Sequence, residues 1–247
     1  MKVKDWIIYQ DDHLIAVNKP SGVLSIPDRE GKEISLKRLL QHEYDAVYTV
    51  HRLDKDTSGL LIFARTEESH RHLSQQFENR QTKKIYAGLV VGVPPLAAGA
   101  IDAPIAEHPV KPGVMVVNRK GKESLTDYKV LQSFGICSWM EFRIHTGRTH
   151  QIRVHMKDAG FPIVCDNVYG DGKPLLLSSI KPKFKLSKYE EEERPLVGRL
   201  ALHAWQLQFS SLSGKEITLE AAIPKDLRAA LQQLGKWQKG KSGAQQA

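Results

Sequence analysis

Short apolar runs separated by polar turns occupy most of the chain. Trp6-Ile7-Ile8-Tyr9 and Leu14-Ile15-Ala16-Val17 flank the turn-like Gln10-Asp11-Asp12-His13, which predicts an opening hairpin. Lys19-Pro20-Ser21-Gly22 ends it, because proline lacks a ladder donor and glycine suits a turn. Over 34–44 the apolar period becomes helical, with Ile34, Leu36, Leu39 and Leu40 on one stripe. Residues 48–50 predict a short strand and 60–64 a longer one, on either side of the polar stretch 51–59. Thr66 predicts a helix N-cap, with Glu67 and Glu68 in the favoured first turn and His70, Leu73 and Phe77 as the stripe. A strand over 85–91 and a Gly- and Pro-rich breaker over 92–99 follow. The second half is mostly β, with runs near 125–131, 138–145, 200–210 and 216–220. Leu212-Ser213-Gly214-Lys215 predicts the turn between the last two, and 224–234 a closing helix. No fixed-period repeat or flexible linker divides the chain. The expectation is therefore one mixed α+β domain over 1–234 and a flexible basic tail over 235–247.

Composition narrows the class. The 247 residues are 41% hydrophobic and 26% charged, which excludes wholesale disorder. No run approaches the ~20 apolar residues of a spanning helix. The first residues lack the apolar core of a secretory signal, so no membrane association is expected. Cys137 and Cys165 are the two cysteines, too few for a disulfide framework or a four-thiolate zinc site, and they fit a reducing, cytoplasmic setting. A formal net charge of +8 points to a polyanionic partner, of which nucleic acid is the commonest.

Three segments concentrate reactive side chains. In His51-Arg52-Leu53-Asp54-Lys55-Asp56-Thr57-Ser58-Gly59, an extended backbone would point Arg52, Asp54 and Asp56 one way and His51, Leu53 and Lys55 the other. Taken alone, a solvent loop tied by local ion pairs is the plainer assignment. In Ile144-His145-Thr146-Gly147-Arg148-Thr149-His150-Gln151-Ile152-Arg153-Val154-His155, Thr149 is a candidate N-cap and Gly160 a candidate stop for a helix whose buried stripe is Ile152, His155, Met156 and Ala159. The guanidinium forks of Arg148 and Arg153 suit anions or carboxylates. His150 and His155 are five apart, about 140° around a helix, which is the wrong spacing for a shared metal. Tyr86 follows Lys83-Lys84 at a strand start, where an ordinary core aromatic is the plainer assignment. Lysines 181, 183, 185 and 188 surround Phe184 and precede four glutamates, either a self-neutralised loop or an RNA-contacting insertion.

These segments together resemble the RNA pseudouridine synthases of the RluA type. His51-Arg52-Leu53-Asp54 with Thr57-Ser58-Gly59 matches the family signature H-R-L-D-x-x-T-S-G. Lys84-Ile85-Tyr86 matches the segment supplying a tyrosine, and residues 146–155 match the one supplying an arginine. Asn18-Lys19-Pro20-Ser21-Gly22, Phe161-Pro162-Ile163 with Asp166 and Tyr169-Gly170, and Leu202-His203-Ala204 follow in family order. The resemblance spans about residues 8–224. Many relatives carry an N-terminal S4-type domain; with the hairpin opening at once none is expected here, and the link 173–198 is longer than expected.

The resemblance implies an α+β fold with a long mixed, mostly antiparallel sheet and a central RNA-binding cleft. It implies isomerisation of a uridine to pseudouridine by base flipping, without cofactor or metal. Asp54 would be the essential carboxylate and Arg153 its partner, while Tyr86 stacks on the base. Arg52 would fill the space the uridine leaves, and Arg148, His51, Thr57, Ile152 and Lys84 would bind substrate. Flipping is least costly at a loop base, so a stem-loop of tRNA or rRNA is the expected partner, with compact size leaning toward tRNA. A monomer without an obligate protein partner is expected. The alternatives are a binding-only RNA protein, and a metal-dependent nuclease using Asp54, Asp56 and Asp166.

Overall fold

The computed structural model describes residues 2–28, 30–186 and 191–242, of which 238–242 as helical backbone only. A 3-10 turn over Val3–Trp6 leads into β1 (Ile7–Gln10) and β2 (Leu14–Lys19), the expected hairpin. Then come α1 (Leu36–Gln41), β3 (Tyr48–Thr49), β4 (Ser58–Ala64), α2 (Glu67–Glu78) and β5 (Lys83–Val91). The second half holds β6 (Ala98–Asp102), β7 (Ile105–Glu107), β8 (Met115–Val117), β9 (Leu125–Ser133) and β10 (Cys137–Ile144). It closes with α3 (Gln151–Asp158), β11 (Leu202–Ser210), β12 (Glu216–Glu220) and α4 (Lys225–Ser242).

Ten strands form one sheet in the order β1-β2-β4-β11-β5-β10-β9-β6, with β12 beside β11 and β3 beside β4. The architecture is α+β, with a mixed and mostly antiparallel sheet. The parallel pair is β4 with β11, His203 opposite Ser58 and Ala204 opposite Gly59. β7 and β8 form a separate small hairpin.

β4 is buried along its whole length because both faces are covered. Leu61 and Phe63 pack with Ile15, Val17 and the Leu36 and Leu40 of α1. Leu60, Ile62 and Ala64 pack on the other side with Leu73 of α2 and Leu207 and Phe209 of β11. Thr66 caps α2 as expected, its Oγ1 accepting from the Ser69 N–H. The third core joins β5, β10, α3 and α4. These three cores hold the sheet centre rigid on either side of β11, and the chemistry-bearing segments converge there.

Several local expectations shift. The helix over 34–44 shrinks to α1, capped by Ser35, and Ile34 stays 67% exposed outside it. β6 begins inside the expected breaker, and β7 and β8, three residues each, carry too little pattern to be read from sequence. α3 is preceded by His150, with φ 56, and not by a Thr149 cap. Gln151, the first residue of α3, ties down the turn before it: its Oε1 accepts from Thr146 Oγ1 and the Arg148 N–H, and no side chain caps the helix. The helix expected to stop at Leu234 runs to Ser242, because the buried stripe Leu227, Ala230 and Leu234 continues onto Trp237. The tail boundary at 235 thus falls within α4, and residues 243–247 lie outside the described residues. In the lysine-rich link Lys181 lies 5.5 Å over the Trp237 ring and Ser178 N–H donates to Glu193, while residues 187–190 are outside the described residues.

Candidate active site

Asp54 stands in the loop that leads into β4, and the early Lys19-Pro20-Ser21-Gly22 turn clamps that loop from below. Lys19, fully buried, donates from Nζ to the carbonyls of Pro20, Val23 and Lys55 at 2.7–3.0 Å. Ser21 Oγ donates to Asp56 O, Gly22 N–H to Lys55 O, and Ser25 Oγ to Leu53 O. Burial draws the Lys19 ammonium down to about 7 against the pull of Asp56 and Asp54. The loop turns at Thr57, whose N–H reaches Asp54 O, so the strand-like alternation ends there. Arg52 and Asp54 share the cleft as expected, but Asp56 does not line it. Gly59 follows with φ +116, and a Cβ there would run into the Ala204 backbone. The glycine of the signature is what lets β11 lie parallel against β4.

α3 brings Arg153 to the same place. Its Nε and NH2 donate to the two oxygens of Asp166 at 2.7 and 2.9 Å, a bidentate pair buried on both sides. Its third nitrogen, NH1, faces Asp54 Oδ2 at 3.8 Å. The expected Asp54–Arg153 partnership is therefore a relay, in which Asp166 aims the guanidinium and Asp54 meets its free end. Burial works against the charge of Arg153, and the Asp166 hydrogen bonds, with the charges of Asp166 and Asp54, outweigh it. Asp166 likewise ends below the usual carboxylate range: burial pushes up, but Arg153 and the N–H groups of Tyr169 and Val168 win.

A second pair, the half-buried His150 with the buried Tyr169, completes the surround. His150 Nε2 lies 3.9 Å from Asp54 Oδ2, and its Nδ1 is 2.8 Å from Tyr169 Oη. Tyr169 Oη also accepts from the Met115 N–H, and its ring lies 5.0 Å from the Arg153 guanidinium carbon. Burial draws His150 below its ordinary value, against the pull of Asp54. The left-handed backbone at His150, uncommon for a residue with a side chain, swings its ring to Asp54. The other motif histidine does structural work. His155 Nε2 donates to Ala103 O and Nδ1 accepts from Thr126 Oγ1, which fixes α3 to β9.

Tyr86 in β5 forms the opposite wall. Its phenol is pushed upward, first by burial and then by the Asp54 charge, so it stays protonated at neutral pH. Arg52, Asp54, Thr57, Tyr86, Arg148, His150, Ile152 and Arg153 line one open cleft.

Residues 13–158 match the family described as RNA pseudouridylate synthase. The chain belongs to this family. It is 36% identical over 92% of its length to the ribosomal large subunit pseudouridine synthase D of Nitrosomonas europaea, and 34% identical over 90% to that of Escherichia coli. The chain spans 64% and 68% of those two relatives. It is also similar to the solved structure of human RNA pseudouridylate synthase domain containing 4, with TM-score 0.72 and 27% identity over 94% of both chains.

In this member of the family, Asp54, Tyr86 and Arg153 come together from three distant stretches, and Arg52, Thr57, Arg148 and Ile152 line the same cleft. His51 and Lys84 do not; they line a neighbouring one. His51 is stacked on Phe77 at 4.4 Å, and its Nε2 accepts from the Ile62 N–H, which ties the signature to β4. Burial, then the Lys84 charge, draws it down to about 3, so it is neutral. Sequence reasoning missed the roles of His150, Asp166 and Tyr169. Asp166 and Tyr169 carried a signal only through their place in family order, and His150 was legible only as a rejected metal ligand.

Proposed function

We propose that this chain isomerises a uridine in RNA to pseudouridine, with Asp54 as its essential carboxylate. The observation that carries this is the convergence of Asp54, Arg153 and Tyr86 in one open cleft. The N1–C1′ bond breaks, the base turns, a C5–C1′ bond forms, the C5 proton leaves to solvent and N1 takes up a proton; nothing is oxidised or hydrolysed. Asp54 adds to C1′ or removes a ribose proton, and either step needs it ionised. Arg153 NH1 lies 3.8 Å and His150 Nε2 3.9 Å from its Oδ2. Tyr86, a protonated phenol, stacks on the flipped base and is no ready proton acceptor. Arg52, exposed at the mouth, fills the space the base leaves, and Arg148 holds backbone phosphate.

The two ribosomal large subunit pseudouridine synthase D relatives point by name to large-subunit ribosomal RNA as substrate, ahead of the tRNA toward which size alone leans. A metal-nuclease reading loses its third carboxylate, because Asp166 already serves Arg153, Val168 and Tyr169. Among the described residues no helix is long and apolar enough to cross a membrane.

Tritium release from a large-subunit ribosomal RNA transcript labelled with 5-[³H]uridine tests the proposal. Asp54→Asn and Asp54→Ala abolish release while RNA affinity stays within a few-fold. Near wild-type release by both variants overturns the role of Asp54.

A further inference from the structure

A second cleft, of about 410 Å³, opens beside the first and shares Arg52, Tyr86, Ile144, Gly147 and Arg148 with it. Its own walls are His51, Phe77, Arg80 and Lys84. Lys84 is two residues before Tyr86 on β5, so both side chains leave the same face of the strand, about 7 Å apart. Tyr86 serves the Asp54 cleft, and Lys84 is the matching cation one step away.

The other charged groups around Lys84 are satisfied without it. Arg80 pairs with Glu123 at 3.0 Å, Arg148 Nε donates to Glu123 O, and His145 is 2.6 Å from Asp127. Glu78 is exposed at the rim and makes no ion pair with Lys84. Lys84 instead points its ammonium over the Phe77 ring, 5.9 Å from the centroid, and toward Gly147, where a Cβ would come within 3.8 Å of Nζ. The ammonium is half-buried, next to Arg80, and among the described residues no carboxylate pairs with it. Such a group is costly unless an anion joins it. The neutral His51 ring on Phe77 and the Tyr86 ring add flat apolar surface beside it.

We propose that this second cleft receives the nucleotide adjacent to the one in the Asp54 cleft, with its phosphodiester on Lys84. The inference rests on the proposed RNA activity and adds to it a subsite: a cation for one flanking phosphate and an aromatic wall for its base. Lys84 is then a binding residue that sets register, since occupying both clefts fixes which nucleotide faces Asp54.

The test compares wild type with Lys84→Met and Lys84→Arg in steady-state tritium release from the same ribosomal RNA transcript over a series of KCl concentrations. Lys84→Met raises KM about tenfold with kcat within about twofold, and flattens the log–log salt slope of kcat/KM by about 0.7–0.9, the loss of one phosphate contact. Lys84→Arg restores slope and KM. An unchanged slope, with kcat and thermal stability falling together, overturns the proposal and leaves Lys84 a structural role. If wild type releases no tritium, the proposed activity itself fails. Filter-binding salt slopes of the same proteins and transcript then decide separately whether Lys84 holds a phosphate: a flatter slope for Lys84→Met supports the subsite and an equal one overturns it.

Discussion

Replacing Asp166 by asparagine isolates the part of the site that aims Arg153. Removing one partner of a buried ion pair costs about 3–5 kcal/mol, because the other charge is left uncompensated. Asparagine keeps part of what Asp166 does. Its amide oxygen can stay at Oδ1 and accept from the Val168 and Tyr169 N–H groups, now at 2.9 and 3.0 Å. The amide nitrogen then faces Arg153 Nε, donor against donor, where a 2.7 Å charged hydrogen bond stood. The loss therefore falls near the lower limit, about 3 kcal/mol, or a melting shift of roughly 6–12 °C for a domain of this size. Asp166→Ala gives up the two backbone contacts as well and falls further, by about 1–2 kcal/mol. Arg153, deprived of its fork, turns toward Asp54 at 3.8 Å, and kcat drops about tenfold or more while RNA affinity is kept. Thermal melting and single-turnover tritium release on the three proteins measure both effects. If Asp166→Asn melts within about 2 °C of wild type and turns over within about twofold, Asp166 does not aim Arg153 and the relay is wrong.

Gly59→Ala destabilises by about 3 kcal/mol or more, since φ +116 is strained for alanine and its Cβ meets the Ala204 backbone; a denaturation midpoint near wild type counts against the tight β4–β11 contact. Acid weakens the fold through His203, which is fully buried, with Nε2 donating to Ala221 O and Nδ1 2.9 Å from Ser58 Oγ. Burial draws it down to about 4. Between an unfolded value near 6.5 and 4 the unfolded chain binds the proton and the folded one does not. Stability is thus fully present above pH 6.5 and declines toward pH 4 by up to about 3 kcal/mol. Urea titrations at pH 7, 5.5 and 4.5 read this, and His203→Gln, if folded, removes one proton from the slope; an identical slope refutes the assignment.

The strands with strong period-2 or fully apolar patterns, β1, β2, β4, β5, β9, β10 and β11, were legible in the chain because their side chains alone specify which faces are buried. The acidic start and threonine cap of α2 were legible for the same local reason. The signature around Asp54, with Tyr86 and the 146–155 segment, marked the chemistry before any fold was available. Local pattern could not say that Arg153 spends its fork on Asp166 and offers only NH1 to Asp54, since that depends on a turn 13 residues downstream folding back over α3. Nor could it say that Lys19 is buried beneath the Asp54 loop, or that His51 belongs to a different cleft from Asp54. Sequence determines which residue types are available and which faces turn inward. The pairing of buried charges is decided by how segments fold against one another: the turn carrying Asp166 packs on α3 and takes the Arg153 fork, while Gly59 lets β11 lie parallel against β4 just beyond the Asp54 loop.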